Sequence, residues 1–393
     1  MKIGIFGSSG SVGAQTLDVI RANRGGFEVM FLSAHTNTDK LAMQAAEFLP
    51  PFVAVTGENA ENKKTLFLKK LREIKSIKGA PQGYNPVVIC GKEYYKEIFK
   101  ACKTDIAVIA VTGLSGLLPS YYALKNGIKT AIANKETLVA GGALIMKEAE
   151  AKGLPVIPID SEHSAIAECL KAGGHSGIKR LILTASGGPF RAYTPEMLRS
   201  AVAADALKHP IWNMGKKVTA DSATMMNKGM EIIEAAHLFG MPESKIDVVV
   251  HPESVVHSMV EYSDNAVIAM LSVPDMRVSI SRALGINGLL KNDAGSLDLV
   301  KLKKLTFEEP DTDKFPCLDL ARQALRAGGI IPAAMNAANE IAVDEFLSGK
   351  AGFNDIPIRI SRVLQKTVNF EPKSIEDISE ADRRARELYA ALN

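Results

Sequence analysis

The sequence predicts an α/β chain in three parts: an N-terminal domain on a parallel sheet, a central α+β domain and a C-terminal helical domain. Three observations predict this division. Short β-rich runs alternate with helical stretches up to Ile159, and glycine-rich polar loops interrupt the strands from Asp160 onward. Beyond Phe315 the chain is rich in Ala, Leu, Glu and Arg, which favour helix. Apolar strands that alternate with helices are typical of a parallel sheet covered on both faces.

Composition sets the outer limits. With 393 residues, 47% of them hydrophobic and 23% charged, the chain is globular and too long for a single hydrophobic core. Its 47 basic and 44 acidic side chains give a net charge of +3, which provides no electrostatic footprint for nucleic acid or a membrane. The four cysteines form no C-x-x-C pair, so we expect reduced thiols. Without a signal-like segment or an apolar run of about 18–20 residues, the sequence predicts a cytoplasmic protein.

Seven short apolar runs are the predicted strands of the first domain, residues 1–159. They are Lys2–Phe6, Glu28–Ser33, Phe52–Val55, Val87–Ile89, Ile106–Val111, Lys129–Ala133 and Pro155–Ile159. After the first run, Val12, Thr16, Val19 and Ile20 lie on one face of a predicted helix. A Lys-rich stretch from Glu61 to Tyr84 is interpreted as a solvated helix and loop rather than a basic binding site.

The rest of the chain divides into a central domain, residues 160–290, a linker, residues 291–314, and a helical domain, residues 315–393. Predicted central strands are Arg180–Ala185, Asp247–Val250 and Ala266–Leu271. His251 and His257 lie in a longer strand-like run, Val248–Val260, and are interpreted as structural. Gly, Asn and Asp clusters between Gly285 and Asp313 indicate the linker. The predicted helices of the last domain are Cys317–Ala327, Ala333–Leu347 and Ile375–Leu392.

A glycine-rich turn follows the first strand. Gly7, Gly10 and Gly13 have the spacing G-x-x-G-x-x-G, and glycines there let the backbone approach a pyrophosphate at a helix N-terminus. In this strand–turn–helix context the motif predicts a Rossmann-like dinucleotide-binding domain, although an ordinary glycine-rich turn has the same pattern. No acid stands at the end of the second strand, which favours NADP over NAD. His35, in that segment, is equally compatible with a surface histidine.

Charged residues follow two later strands. Lys135 and its neighbours Asn134 and Glu136 come where open α/β sheets bind ligands, although Asn134 and Glu136 also suit a helix start. In extended chain, Asp160 and Glu162 point the same way, and hard oxygen ligands suit Mg²⁺ or Mn²⁺. A helix cap at Asp160 is the alternative.

A third set of polar residues lies on one predicted helix. Asn227, Lys228 and Glu231 share a face, where an amide, an ammonium and a carboxylate together suit a phosphate beside a metal. The alternative is an exposed Lys228–Glu231 ion pair of little energetic weight. Residues 186–216 contain Gly and Pro and the only tryptophan, Trp212, as a closing lid requires. A lone tryptophan more often anchors a core.

In order along the chain, these motifs resemble the 1-deoxy-D-xylulose 5-phosphate reductoisomerase family. The likeness extends to Pro332–Ala334 and Asn336–Glu340 in the helical tail. The resemblance implies an NADPH- and Mg²⁺- or Mn²⁺-dependent enzyme that converts this phosphosugar to 2-C-methyl-D-erythritol 4-phosphate in the non-mevalonate isoprenoid pathway. The family rearranges the carbon skeleton and then reduces an aldehyde with hydride. A homodimer is implied by the family alone.

The resemblance also implies roles residue by residue. Implied cofactor contacts are Gly7, Ser9, Gly10, Ser11, Val12, His35, Thr36, Asn37, Asn134, Glu136 and Gly215. Implied metal ligands are Asp160, Glu162 and Glu231. Implied substrate contacts are Lys135, Ser161, Glu162, Ser186, His209, Ser222, Asn227, Lys228 and Glu231. Implied catalytic residues are Lys135, Asp160, Glu162, His209 and Glu231.

Three departures from the family pattern stand out. Ser9 replaces the usual Thr and keeps a hydroxyl, His35 and Thr36 replace small or basic residues, and Leu271–Met276 differs from the usual Gly-Asn before Pro. Rival readings are a homoserine or semialdehyde dehydrogenase and a nucleotide-sensing regulator. A semialdehyde dehydrogenase needs a nucleophilic thiolate, and no cysteine here lies in a loop beside a plausible base. A regulator has no use for three acids.

Overall fold

The computed structural model describes residues 1–78, 83–212, 214–285 and 288–392. Its strands are β1 (Lys2–Phe6), β2 (Glu28–Ala34), β3 (Phe52–Val55), β4 (Val87–Cys90), β5 (Ile106–Ile109), β6 (Lys129–Ile132), β7 (Val156–Pro158), β8 (Ile178–Ala185), β9 (Ile246–Val250), β10 (Val256–Tyr262) and β11 (Val267–Leu271). Its helices are α1 (Ser11–Ala22), α2 (Thr38–Phe48), α3 (Ala60–Lys78), α4 (Tyr94–Ala101), α5 (Leu117–Lys125), α6 (Lys135–Lys152), α7 (Ser161–Gly173), α8 (Pro195–Arg199), α9 (Ala203–Ala206), α10 (Lys216–Ala223), α11 (Met226–Phe239), α12 (Met276–Leu284), α13 (Leu299–Leu302), α14 (Cys317–Ala327), α15 (Ile331–Leu347), α16 (Asp355–Lys366) and α17 (Ile375–Ala390).

The chain forms two compact units. One comprises residues 1–134, 147–159 and 276–293, and the other comprises residues 135–146, 160–275 and 294–393. The division between them falls inside α6, so this helix belongs to both units. The finer division into three domains stays a prediction. Among the described residues, none of the helices combines the length and apolar character needed to cross a bilayer.

The first unit contains a seven-stranded parallel sheet in the order β4-β3-β2-β1-β5-β6-β7. The order reverses beside β1, which places a ligand crevice at the carboxyl end of that strand. Helix α1 buries Thr16, whose hydroxyl donates to Val12 O at 2.9 Å and so satisfies the polar group inside the core. The predicted Rossmann-like α/β fold is confirmed. Of the predicted Lys-rich loop, residues 79–82 lie outside the described residues.

The Lys-rich helix α3 packs on the first unit through its apolar side chains. Helix α3 buries Phe67, Leu71 and Ile74 against the first unit's core and leaves Lys69 exposed to solvent. The interpretation as a solvated face therefore holds for one side of this helix, while the other side packs.

The second unit contains a four-stranded sheet in the order β11-β10-β8-β9, in which β8 and β9 are parallel and β10 is antiparallel to both neighbours. The single strand-like run predicted over Val248–Val260 is wrong, because residues 251–255 form a turn between β9 and β10. Pro252 has no N–H for a ladder, and Ser254 adopts a left-handed φ of 50°.

Helices complete the second unit. Helices α14, α15 and α17 lie where the sequence predicts them, and α15 starts two residues early because Pro332 suits the first turn of a helix. Helix α16 was not predicted, although Ile356, Ile360 and Val363 repeat at helical spacing and are fully buried. Within the described part of the predicted linker, α13 is a single short turn.

Candidate active site

Helices α7 and α11 position the three carboxylates that the sequence predicts as metal ligands. Asp160 is the N-cap of α7, where its Oδ1 accepts from Ser161 N at 3.2 Å, and Glu162 lies in the first turn. Glu231 lies in the interior of α11 and is only 1% exposed. One carboxylate oxygen from each of Asp160, Glu162 and Glu231 lies within 4.8 Å of the others. Asp160 therefore serves both as the helix cap and as part of the acidic cluster, the two alternatives that the sequence offered.

Two lysines neutralise this acidic cluster. The Lys135 ammonium contacts Asp160 and donates to Glu231 Oε1 at 3.1 Å, while Lys228 contacts Glu231 and donates to Glu162 Oε1 at 3.0 Å. The Lys228 side chain is 4% exposed, so the exposed ion pair considered from the sequence is wrong. It is wrong because α7 and α11 pack together and remove the pair from water.

Burial and charge act on these groups in opposite directions. Burial raises the pKa of Glu231, and the neighbouring Glu162 carboxylate raises it further. Burial also opposes the charge of Glu162, but the Lys228 ammonium outweighs it and lowers the pKa of that carboxyl. The pKa of Lys135 is raised because surrounding carboxylates outweigh its desolvation. The cluster therefore carries both signs of charge at neutral pH.

The donor set fits a small divalent cation. Hard oxygen ligands at about 2.1 Å from one Mg²⁺ lie up to about 4.2 Å apart, close to the spacing of these oxygens. Three carboxylates leave coordination positions for water or substrate oxygens, which a catalytic site requires.

Polar groups suited to a phosphate lie beside the acids. Asn227 donates to Glu231 Oε1 at 2.6 Å, and its buried Oδ1 has no partner among the described residues. Gly188 packs so closely on Ser222 that an added Cβ would lie 2.5 Å from Ser222 O. This contact brings the Ser186 loop to the start of the segment that carries Asn227.

The predicted lid segment, residues 186–216, is partly ordered by helices α8 and α9. His209 Nδ1 accepts from Trp212 N at 2.8 Å and from Ile211 N at 3.2 Å. The proton of a neutral ring therefore lies on Nε2, which donates to Ser186 Oγ at 2.9 Å. Burial lowers the pKa of His209 and so favours this neutral form. Asn213, in the same segment, lies outside the described residues.

Trp212 is half-buried, and its ring meets His257 edge-on at 6.1 Å between centroids. It is therefore not the core anchor considered from the sequence. His257 in turn contacts Ser272 Oγ at 2.8 Å. His251 is fully buried, contacts Thr306 O at 2.8 Å and stacks on Phe307, as a structural histidine does.

The glycine-rich turn has the geometry of a phosphate-binding turn. Gly7 adopts a φ of 79° and donates to Ser33 Oγ at 3.0 Å. Gly13 lies so close to Gly7 that an added Cβ would lie 2.3 Å from Gly7 O. Helix α1 begins at Ser11 with no side-chain cap, which leaves its first N–H groups for an anion. Ser9 is half-buried, and Gly10 and Ser11 are exposed.

The other predicted cofactor residues are distributed as follows. His35, Thr36 and Asn37 are exposed after β2, and Asn37 Oδ1 caps α2 by accepting from Lys40 N at 2.9 Å. Asn134 is buried and donates to Val111 O at 3.0 Å and Gly113 O at 2.9 Å. In the second unit, Gly215 is the N-cap of α10, and Glu136 lies 3.8 Å from the Lys217 ammonium. The cofactor contacts of all these residues stay predictions.

Comparison with known proteins decides the family. Family models for 1-deoxy-D-xylulose 5-phosphate reductoisomerase match residues 3–142, its C-terminal domain residues 156–239, and the DXP reductoisomerase C-terminal domain residues 271–388. The reductoisomerase of Crocosphaera subtropica is 44% identical over 98% of this chain and 95% of its own. That of Chlorobaculum tepidum is 44% identical over 100% of this chain and 99% of its own. The chain belongs to the 1-deoxy-D-xylulose 5-phosphate reductoisomerase family.

Solved reductoisomerase structures have the same fold. The Zymomonas mobilis enzyme in complex with NADPH superimposes with a TM-score of 0.89 at 37% identity and covers 100% of this chain and 98% of its own. A reductoisomerase in complex with NADPH, fosmidomycin and magnesium gives the same TM-score, identity and coverage. The resemblance inferred from the motifs is confirmed.

Two further residues at this reductoisomerase site were missed by the sequence analysis. One ligand atom each of Asp160, His163 and Glu234 also lie within 4.8 Å of one another. His163 is fully buried, and its Nε2 donates to Glu231 O at 2.9 Å while Nδ1 lies 3.2 Å from Asp160 Oδ2. Burial opposes a charge on this ring, but the Glu234 and Asp160 carboxylates raise the pKa of His163 to about 9. The only sequence signal was the i, i+3 spacing from Asp160 and from Glu231.

Proposed function

We propose that this chain catalyses the NADPH- and divalent-metal-dependent conversion of 1-deoxy-D-xylulose 5-phosphate to 2-C-methyl-D-erythritol 4-phosphate. The observation that carries the proposal is the convergence of Asp160, Glu162 and Glu231 beside Lys228 and Asn227. An enzyme that binds a hydroxyketone phosphate needs a cation for the hydroxyl and carbonyl oxygens. It also needs hydrogen-bond donors for the phosphate.

Asp160, Glu162 and Glu231 would hold the cation. When bound, such a cation polarises a carbonyl oxygen as a Lewis acid. Lys135, which donates to Glu231 Oε1, would hold a substrate oxygen. Ser161, whose hydroxyl donates to Glu162 Oε2 at 2.6 Å, would hold another. His163 keeps two acids in register by contacting Asp160 and the Glu231 main chain.

Lys228, Asn227, Ser186 and Ser222 would bind the substrate phosphate. The buried Oδ1 of Asn227, which no described residue satisfies, supports a polar ligand at this position. His209 and Trp212 would close over the substrate and exclude water, which strengthens electrostatic contacts inside the site. Ser9, Gly10, Ser11 and Val12 would hold the phosphates of NADPH, which supplies the hydride.

The active form is proposed to be a homodimer. Strand β11 is an edge strand, and every second residue of it is exposed. Val267 is 50% exposed and Leu271 is 37% exposed, which leaves an apolar face for a second copy of the chain.

We also propose a cytoplasmic location, which four free thiols support, and a three-domain division at residues 159, 290 and 314.

The direct experiment mixes the protein with 1-deoxy-D-xylulose 5-phosphate, NADPH and Mg²⁺ and follows NADPH absorbance. The absorbance is expected to fall, the product to be 2-C-methyl-D-erythritol 4-phosphate by mass spectrometry, and EDTA to stop the reaction. Binding of NADPH without any turnover would instead support a nucleotide-sensing regulator. Turnover that EDTA leaves unchanged would refute the metal assignment.

A further inference from the structure

We infer that Lys63, at the start of α3, binds the 2′-phosphate of NADPH and gives the chain its preference for NADPH over NADH. The inference deepens the proposed function and rests on it, because it assigns one specificity contact to the proposed cofactor. No motif in the sequence analysis pointed to this residue, which lies within a Lys-rich helix interpreted as solvated.

The position of the ammonium is set by two main-chain carbonyls. Lys63 Nζ donates to His35 O at 2.9 Å and lies 3.5 Å from Thr56 O. His35 directly follows β2, and Thr56 directly follows β3, the next strand of the parallel sheet. Lys63 therefore bridges the carboxyl ends of two neighbouring strands, which is the edge where α/β sheets bind nucleotides.

Lys63 forms no ion pair with a carboxylate in the described part of the chain. None of the described carboxylates lies within ion-pair distance of Lys63, whereas the adjacent Lys64 lies 3.6 Å from Glu61. Neutral carbonyls hold its position without cancelling its charge. An ammonium in this state is suited to a doubly charged phosphate.

The same edge carries the residues that distinguish the two cofactors. In NAD enzymes an acid after the second strand binds the ribose hydroxyls. Here the corresponding residues, His35, Thr36 and Asn37, include no acid. The segment is also tied to the phosphate turn, because Ser33 accepts from Gly7 N and Ser8 N. A dinucleotide with its pyrophosphate on α1 therefore extends its adenosine ribose toward the Lys63 ammonium.

Packing keeps the anchor carbonyls of Lys63 in place. The His35 ring lies against Gly57, where an added Cβ would be 2.2 Å from His35 Cε1, and His35 Nδ1 contacts Thr56 Oγ1 at 3.2 Å. The loops after β2 and β3 are thus in direct contact. Little ordering is needed before a phosphate binds, which favours affinity.

The test compares Lys63→Met with the matched control Lys64→Met, one residue away on the same helix. The dissociation constants of NADPH and NADH are measured by titrating cofactor fluorescence, together with kcat/KM for each cofactor. We expect Lys63→Met to weaken NADPH binding about tenfold while NADH affinity stays as in the wild type. Lys64→Met should change neither, and added KCl should weaken NADPH binding less in Lys63→Met than in the wild type.

Two results would overturn the inference: unchanged NADPH affinity in Lys63→Met, or an equal loss of affinity for both cofactors, which would make Lys63 merely structural. Failure of the proposed function gives a different result. In that case the wild type would not consume 1-deoxy-D-xylulose 5-phosphate, while the Lys63-dependent difference between NADPH and NADH binding would remain.

Discussion

Lys135 and Lys228 lie among carboxylates that are almost fully removed from water. Each lysine contacts Glu231, which also accepts from Asn227. Removing one partner from such a buried network leaves the others unpaired, and that cost exceeds the net energy of the pair itself. The network is therefore sensitive to the loss of any single charge.

Glu231→Gln tests the metal assignment at this scale. The variant keeps the side-chain volume but removes one anionic ligand, so kcat is expected to fall at least about 100-fold and Mn²⁺ affinity, measured by calorimetry, to fall with it. Glu380→Gln on α17, which weakens only the surface pairs with Arg383 and Arg384, is the control and should match the wild type in kcat and in Mn²⁺ affinity. Wild-type turnover by Glu231→Gln would exclude this carboxylate from the reaction.

The neutral state of His209 gives a pH prediction. Its folded pKa is lowered below 6.5 by burial, so its contribution to the local fold is present above pH 6.5 and is lost as pH falls through the folded value. Protonated Nδ1 can no longer accept from Trp212 N and Ile211 N. Since Trp212 is the only tryptophan, its emission is expected to change as the pH is lowered from 6.5 through the folded pKa of His209.

A variant separates His209 from the other imidazole near Trp212. His209→Asn should abolish the pH-dependent change in emission. If the change persists in that variant, His257, whose pKa burial also lowers, is responsible instead. With NADPH and substrate, wild-type emission should change as well, and constant emission would exclude closure around Trp212.

At the scale of elements, the β1–α1 turn depends on close backbone contact. In Gly13→Ala the new Cβ would lie 2.3 Å from Gly7 O and 2.6 Å from Ser8 Cα, so the turn must shift. We expect NADPH affinity to fall at least about tenfold, because the first N–H groups of α1 would no longer point toward the phosphates. Gly83→Ala, with open space around its Cβ, is the matched control in the same unit. Equal NADPH affinity in the two variants would contradict the phosphate-turn assignment.

A buried polar link joins α10 to α15. Asp221 is fully buried between the Lys217 ammonium and Asn339, which donates to Asp221 Oδ1 at 2.9 Å. Asn339→Leu leaves this carboxylate oxygen without that donor, so the free energy of unfolding should fall by about 2–3 kcal/mol, measured with urea. The exposed Asp344→Ala on the same helix should change it by less than about 0.5 kcal/mol. Equal stability of the two variants would mean that the link contributes nothing.

Element boundaries were largely predictable because they depend on local signals. Alternating apolar strands and helices place β1 to β7, and Pro332 explains the early start of α15. Helix α16 was missed because Pro357 and three β-branched isoleucines weaken its helix propensity, which tertiary burial of Ile356 and Ile360 overrides. The turn after β9 was missed because apolar residues continue on both of its sides.

At the scale of the whole molecule, the proposed dimer makes a direct prediction. Light scattering should give twice the 42.2-kDa mass of the chain. The double variant Val267→Asp with Leu271→Asp should shift the mass to the monomer, because it places charges on the exposed face of β11. Val368→Asp, at a residue that is 84% exposed elsewhere, should remain dimeric. A wild-type monomer would refute the proposal.

Short sequence motifs and their order along the chain were sufficient to indicate the family. Three signals are properties of short segments: the glycine spacing after β1, the absence of an acid at the end of β2, and the order of the polar motifs. They can therefore be recognised in the sequence before the fold is known. The identities of Asp160, Glu162 and Glu231 as candidate ligands came from these segments, and comparison with known proteins confirmed the family they indicate.

Tertiary packing decided what those residues touch. Only the folded chain brings Glu231 within reach of Asp160 and Glu162, buries the Lys228–Glu231 pair, and adds His163 and Glu234 to the site. Only the pairing of β2 with β3 places the Lys63 ammonium over both strand ends. The physical reason is that periodicity and turn chemistry act between neighbours in the chain, whereas desolvation and charge pairing depend on distances between segments that only folding creates.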